Sequence, residues 1–199
     1  MPLPYLSYSA FDLYMRDPLE FYQQYFVARV DRATTKMTLG KIFQEAWRSK
    51  RYNYAAALEK AGFTGNHERA IRTALTHPRT VRLPASKTER KHTVKGHGLN
   101  YPILAIFDGD DPAAKLIVEN KFGAVWSQQT ADEARQLTWY ALVWKIKRGY
   151  IPKILLQSFN AKNGIPKHLW TTRYAFDLDK LVHEINSMVA KVQAGNFEK

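Results

Sequence analysis

Up to Pro78 the apolar residues of this chain recur at the spacing of helices, and beyond it they do not. This change of period constrains the fold more than any other feature, because helices and strands bury their faces at periods of about 3.6 and 2 residues. A first helix is predicted from Ser7 or Ser9, both good N-caps, with Asp12 placed three residues after Ser9 as in a capping box. Phe11, Tyr14, Met15, Leu19, Tyr22, Tyr25 and Phe26 continue it, with a bend at Pro18. A second helix is expected over about 39–60, with Gly62 just past its end, and a shorter third over 65–77. After Pro78, short and partly β-branched segments at 79–83, 88–95, 101–108 and 115–121 read as strands, with turns at Gly96-His97-Gly98 and Asp110-Asp111-Pro112. A strong helix over about 130–148 ends in Lys145, Lys147, Arg148 and Gly149, as the helix dipole and the C-cap favour. Strands at 154–159 and 168–176 and an amphipathic helix at about 177–193 complete an α+β chain with a mixed sheet.

At 199 residues one domain is expected over 1–199, a helical part at about 7–77 leading into a sheet with helices at about 78–199. A 45% share of hydrophobic residues with 24% charged fits an ordinary globular chain. The longest unbroken apolar stretch, 103–107, is far short of a membrane span, and the first residues lack the basic and apolar segments of a secretory leader. A cytoplasmic protein without membrane association is therefore expected. The absence of cysteine excludes disulfides, thiolate zinc sites, cysteine nucleophiles and cysteine-ligated iron–sulfur clusters from this chain. The net charge of +12 makes polyanions the first partners to consider.

The stretch from Asp108 to Lys121 carries the chemistry. If its flanking strands form a hairpin turning around Pro112 and Ala113, Asp108 faces Ile117 and Glu119 faces Ile106. Opposed residues share a face, so Asp108, Glu119 and Lys121 point one way as neighbours and Asn120 points another. Two carboxylates so placed can share one hard cation. A lysine two residues beyond can hold a water, or offset charge on a phosphate under attack. The same trio also reads as a polar strand face with a surface ion pair, and the local pattern leaves both readings open.

Wider context narrows the choice. The stretch from Leu6 through Ser9, Phe11 and Asp17-Pro18 to Phe21 resembles the first motif of RecB/AddB-type nucleases of the PD-(D/E)XK superfamily, and Leu39-Gly40 through Gln44 resembles their second. Glu89 sits at an additional acidic position of that family. Ala105 to Asp108 is similar to its Gly-x-x-Asp, Glu119-Asn120-Lys121 to its Asp/Glu-x-Lys, and Gln136 to Tyr140 to its Gln-x-x-x-Tyr. Ala194 to Phe197 resembles the segment that precedes the last cysteines of cluster-bearing relatives. The resemblance implies a restriction-endonuclease-like αβββαβ core, a central mixed sheet flanked by helices. It further implies a nuclease that hydrolyses phosphodiester bonds in DNA, an exonuclease favouring single strands or ends, with a separate helicase or recombination protein as partner. Asp108 and Glu119 would bind Mg²⁺ or Mn²⁺, Lys121 would be the catalytic lysine, Gln136 would position substrate or water, and Tyr140 would touch nucleic acid.

Two positions depart from the pattern. Gln44 stands where relatives carry a metal-binding histidine, and its carbonyl is a hard but weaker donor. Asp17 stands where many relatives carry a cluster cysteine, so no iron–sulfur cluster is expected. Gln136 and Tyr140, four residues apart, share a helix face, although Tyr140 also fits the core stripe of Leu137, Ala141 and Trp144. Trp126 is a candidate for stacking bases, and Lys41 and Arg135 for tracking a nucleic-acid backbone. His92 and His97 flank a basic turn that reads as solvated.

Overall fold

A computed structural model describes residues 3–27, 35–49, 51–123 and 125–197. Among them the chain forms eight α-helices and one mixed sheet of six strands, the α+β architecture its periodicity predicts. β1 (Leu6–Ser7) leads into α1 (Tyr8–Arg16) and α2 (Pro18–Tyr22), followed by a π-helical turn, Gln23–Val27. Then come α3 (Thr35–Arg48), α4 (Tyr54–Lys60), α5 (Gly65–Thr76), β2 (Thr88–Val94), β3 (Ile103–Asp111) and β4 (Leu116–Gly123). The chain ends with α6 (Gln128–Glu133), α7 (Arg135–Arg148), β5 (Lys153–Asn160), β6 (Pro166–Thr171) and α8 (Ala175–Gln193).

Across the sheet the order is β1-β3-β4-β5-β6, with β2 also paired to β3. The β1–β3 and β4–β5 pairs are parallel, and β2–β3, β3–β4 and β5–β6 are antiparallel. Two apolar clusters pack on the sheet. The larger joins α1, α7 and α8 around Phe11, Trp139, Trp144 and Ile185. The smaller joins α3, α4 and α5 around Phe43, Trp47 and Ile71, and rests on Phe159 of β5.

Several expected boundaries move, each for a visible reason. Ser7 caps α1 by accepting the Ala10 N–H, while Asp12 pairs with Arg16 at 3.0 Å instead of completing a capping box. The bend at Pro18 is a full break: Asp17 caps α2 and Pro18 occupies its first turn. The single helix expected over 39–60 is two, because Asn53 starts α4 by accepting the Ala56 N–H at 3.1 Å. The helix expected over 130–148 likewise divides at Ala134, whose backbone is extended. The carbonyls of Ala131 and Ala134 both accept from Arg173 Nη2, at 3.0 and 3.1 Å, and that of Ala134 also accepts the Leu137 N–H that opens α7. The strand expected at 79–83 is absent. There the Val81 N–H and C=O are met by the two ends of the Gln157 side-chain amide, at 2.7 and 2.9 Å, a side chain standing in for a neighbouring strand. β6 stops at Thr171, short of 176, and β1, too brief to show periodicity, was not expected. The C-terminal segment returns to the first helices: Tyr14 donates to the Asn196 carbonyl, and the Phe197 ring packs on Tyr22 and Phe26.

Candidate active site

The hairpin of β3 and β4 builds the site by coming apart. Its ladder pairs Asp111 with Leu116, Asp110 with Ile117 and Gly109 with Val118, and stops there. The turn is Pro112 to Lys115, so Asp110 and Asp111 belong to the strand and the register is slid by two residues from the expected one, in which Asp108 faced Ile117. A slip of two preserves faces. It also makes Asp108 and Glu119 the first positions past the last pair.

Asp108 fills the opening. Its Oδ2 accepts the main-chain N–H of Asn120 at 2.8 Å, and its Oδ1 accepts Nε2 of Gln44 from α3 at 2.8 Å. The Asn120 side chain points elsewhere, as expected, and accepts from Gln157 Nε2. Glu119 is 3% exposed; its Oε1 meets Lys121 Nζ at 2.7 Å, and among the described residues its buried Oε2 has no hydrogen-bond partner. Lys121 Nζ donates a second bond to Gln136 Oε1 at 2.7 Å, and Gln136 Nε2 reaches the Tyr140 hydroxyl at 2.8 Å. Strand β4 and helix α7 are thus joined by the chain Glu119–Lys121–Gln136–Tyr140.

The electrostatics follow from burial and crowding. Desolvation, then repulsion from Glu119, holds the Asp108 carboxyl well above the ordinary carboxylate range, against the pull of the Asn120 N–H and Lys121. Burial works against the Lys121 ammonium, but attraction and a hydrogen bond from Glu119, with help from Asp108, outweigh it and raise its pKa. Tyr140 is pushed well above its usual value by burial and then by the two carboxylates, so its hydroxyl keeps its proton.

A cleft of about 270 Å³ opens beside these groups, lined by Gln44, Asp108, Asn120 and Lys121, by Glu89 of β2, and by Met37, Gly40, Lys41, Phe43, Trp47 and Phe122. Glu89 has a left-handed backbone (φ 47°) and pairs with Arg48 Nε at 3.0 Å. Lys41 is exposed at the rim. The other candidates are elsewhere. Tyr140 is 6% exposed and packs edge-on against Phe107, so it combines the core position with a hydroxyl aimed at Gln136, and its ring is closed to a stacking base. Trp126 is half-buried against the larger core, its main-chain N–H donating to Ser158 Oγ, and it does not line this cleft. Arg135 pairs with Glu184 at 3.6 Å in a different cleft, between α7 and α8. His92 is buried rather than solvated: its ring lies on Phe107 and its Nδ1 is 2.6 Å from Lys147 Nζ. With Arg90 it faces Asp110, a 1% exposed carboxylate that sequence reasoning assigned to a turn. The role of the Asn120 main chain carries no sequence signal, since any residue but proline supplies an N–H.

No protein family and no curated protein matches the sequence. Among solved structures the chain is similar to a crystal structure from Eubacterium rectale named "Putative exonuclease", with a TM-score of 0.68 at 10% identity, covering 98% of this chain and 83% of that one. At that identity what the two share is the fold.

Proposed function

We propose that this chain is a metal-dependent nuclease that hydrolyses phosphodiester bonds in DNA, acting on single strands or ends, with a RecB/AddB-type PD-(D/E)XK site. The observation that carries the reading is Lys121. Its ammonium is held between Glu119 Oε1 and Gln136 Oε1, both at 2.7 Å, beside an aspartate lodged where two strands part. The fold it shares with the Eubacterium rectale protein supports the same reading.

The donor set fits a hard divalent cation such as Mg²⁺ or Mn²⁺. Among the described residues Glu119 Oε2 is buried without a hydrogen-bond partner, and the crowding of Asp108 against Glu119, which raises the Asp108 pKa, is the repulsion that a cation between them would relieve. Among the described residues no three His, Cys, Asp or Glu side chains gather as a metal cluster, so the third protein ligand would be the Gln44 carbonyl. When bound, such an ion polarises a phosphoryl oxygen and lowers the pKa of its water. Lys121 holds a water or stabilises charge on the phosphate, Gln136 fixes the Lys121 Nζ, and Tyr140 fixes Gln136. The net charge of +12 supplies salt-sensitive, sequence-independent affinity for the backbone. A separate helicase or recombination protein, and a place in DNA repair inside the cytoplasm, complete the proposal.

The test is cleavage of end-labelled single- and double-stranded DNA with Mg²⁺, Mn²⁺ or EDTA, wild type beside Lys121→Ala. Metal-dependent cutting by wild type alone supports the reading. Equal cutting by both rejects it as contamination. A second reading, a nucleic-acid-binding protein without catalysis, is favoured by Gln44 donating its N–H to Asp108 where a metal-binding histidine would stand. DNA binding with no cutting under any metal would select it.

A further inference from the structure

The cleft beside Asp108 has two unlike walls. Phosphodiester chemistry at Asp108 and Lys121 needs only the polar one. The rest of the lining is apolar, with Met37 and Phe122 at its surface and Phe43 and Trp47 buried beneath. Phe122 stacks on the buried Phe43 at 4.6 Å with 18° between their planes, and Phe43 in turn packs on Phe159 at 5.2 Å, so the Phe122 ring is supported on one face by the core. Gly40 lies on the same lining, inside helix α3, where glycine costs about 1 kcal/mol relative to alanine. Among the described residues an added Cβ there would meet no atom within 4 Å. What a side chain at position 40 would take up is cleft volume.

An apolar lining in the same cleft as a phosphate-directed lysine matches the chemistry of a nucleotide, whose π-face is apolar and whose backbone is anionic. Lys41, at the same rim, adds a second cation on the backbone side. We propose that this lining is a nucleobase subsite: the base next to the scissile phosphate leaves its stack and lies against Met37 and Phe122, over Gly40. This deepens the nuclease reading and rests on it. A paired base must first be unpaired to enter, so the subsite by itself makes an unpaired nucleotide the better substrate.

The experiment compares a single-stranded oligonucleotide with the same strand carrying abasic nucleotides, read both as cleavage with Mg²⁺ and as binding by anisotropy with EDTA. Bis(p-nitrophenyl) phosphate serves as a substrate without a base. Wild type is expected to cut beside an abasic nucleotide about 10–100-fold more slowly, and to bind an abasic strand at least about fivefold more weakly, than the parent strand. Gly40→Leu should erase that discrimination, and Met37→Ala, at a half-exposed position, should reduce it should the leucine variant fail to fold. Hydrolysis of bis(p-nitrophenyl) phosphate with equal handling of both strands overturns the subsite and leaves the nuclease reading standing. No hydrolysis of any substrate overturns the nuclease reading, and the binding comparison then decides the subsite alone: equal binding rejects it.

Discussion

Gln44 gives an amide N–H to Asp108 Oδ1 across 2.8 Å, which ties helix α3 to the point where β3 and β4 separate. With Nε2 committed in this way, Gln44 offers an ion its Oε1 only after the amide turns over. Replacing it with histidine, whose imidazole is a stronger ligand for Mn²⁺, should tighten Mn²⁺ binding by about tenfold, while Gln44→Ala should weaken it. Calorimetric titration of the metal into each variant reads both.

Asp108 is held protonated more readily in the folded chain than in the unfolded one, by burial and by the neighbouring Glu119. Its contribution to stability is therefore greatest at acid pH and declines as pH rises from the ordinary carboxylate range through the raised folded value. Asp108→Asn removes that decline. In metal-free buffer the variant should melt about 3 °C or more above wild type near neutral pH, with the gap closing toward pH 4. A lower melting temperature at neutral pH would show that the carboxylate is structural.

Gln136 is a positioning residue, since it holds Lys121 Nζ on one side and the Tyr140 hydroxyl on the other. Gln136→Ala should lower kcat about 10-fold and leave KM within about twofold, because the ammonium loses its orientation while the cleft keeps its shape. Gln136→Glu, which keeps the acceptor, should restore part of the rate. A change confined to KM would contradict the assignment.

Arg173 is 4% exposed and donates to Thr138, Thr171 and the carbonyls of Ala131, Ala134 and Thr172. Lysine cannot reproduce that planar fork. Arg173→Lys should cost about 3 kcal/mol, read as a shift of the urea midpoint, because several buried acceptors lose their donor at once.

Gly164 has a left-handed backbone (φ 71°), and a Cβ there would come within 1.9 Å of the Ala70 carbonyl oxygen in α5. Backbone cannot yield as a flexible side chain does. Gly164→Ala should destabilise the chain by about 2–4 kcal/mol in the same titration.

The sequence was most readable where chemistry and period agree. Asp108, Glu119 and Lys121 share a face as their spacing suggested, Gln136 is singled out by the family resemblance alone, and the α+β order follows from apolar repeats that packing respects. It was least readable where one residue's partner lies far along the chain. The break at Ala134 depends on Arg173, and the conformation of 79–83 depends on Gln157, neither of which marks its target locally. Tyr140 fitted both a core stripe and a functional pair, and the fold makes it both, ring inward and hydroxyl toward Gln136. Trp126 is a candidate by residue type and by its place just after β4, and Arg135 by its charge, and neither property says which cleft a side chain enters.

The hairpin that carries the two carboxylates is closed at its loop and open at Asp108 and Glu119, with three ladder pairs between. Those pairs insulate one end from the other. Residues inserted between Pro112 and Lys115 would lengthen the loop without shifting the carboxylates, so a fluorophore or an affinity handle can be installed there on a working protein. One residue added to either strand on the far side of Gly109 would instead rotate every side chain beyond it and dismantle the centre.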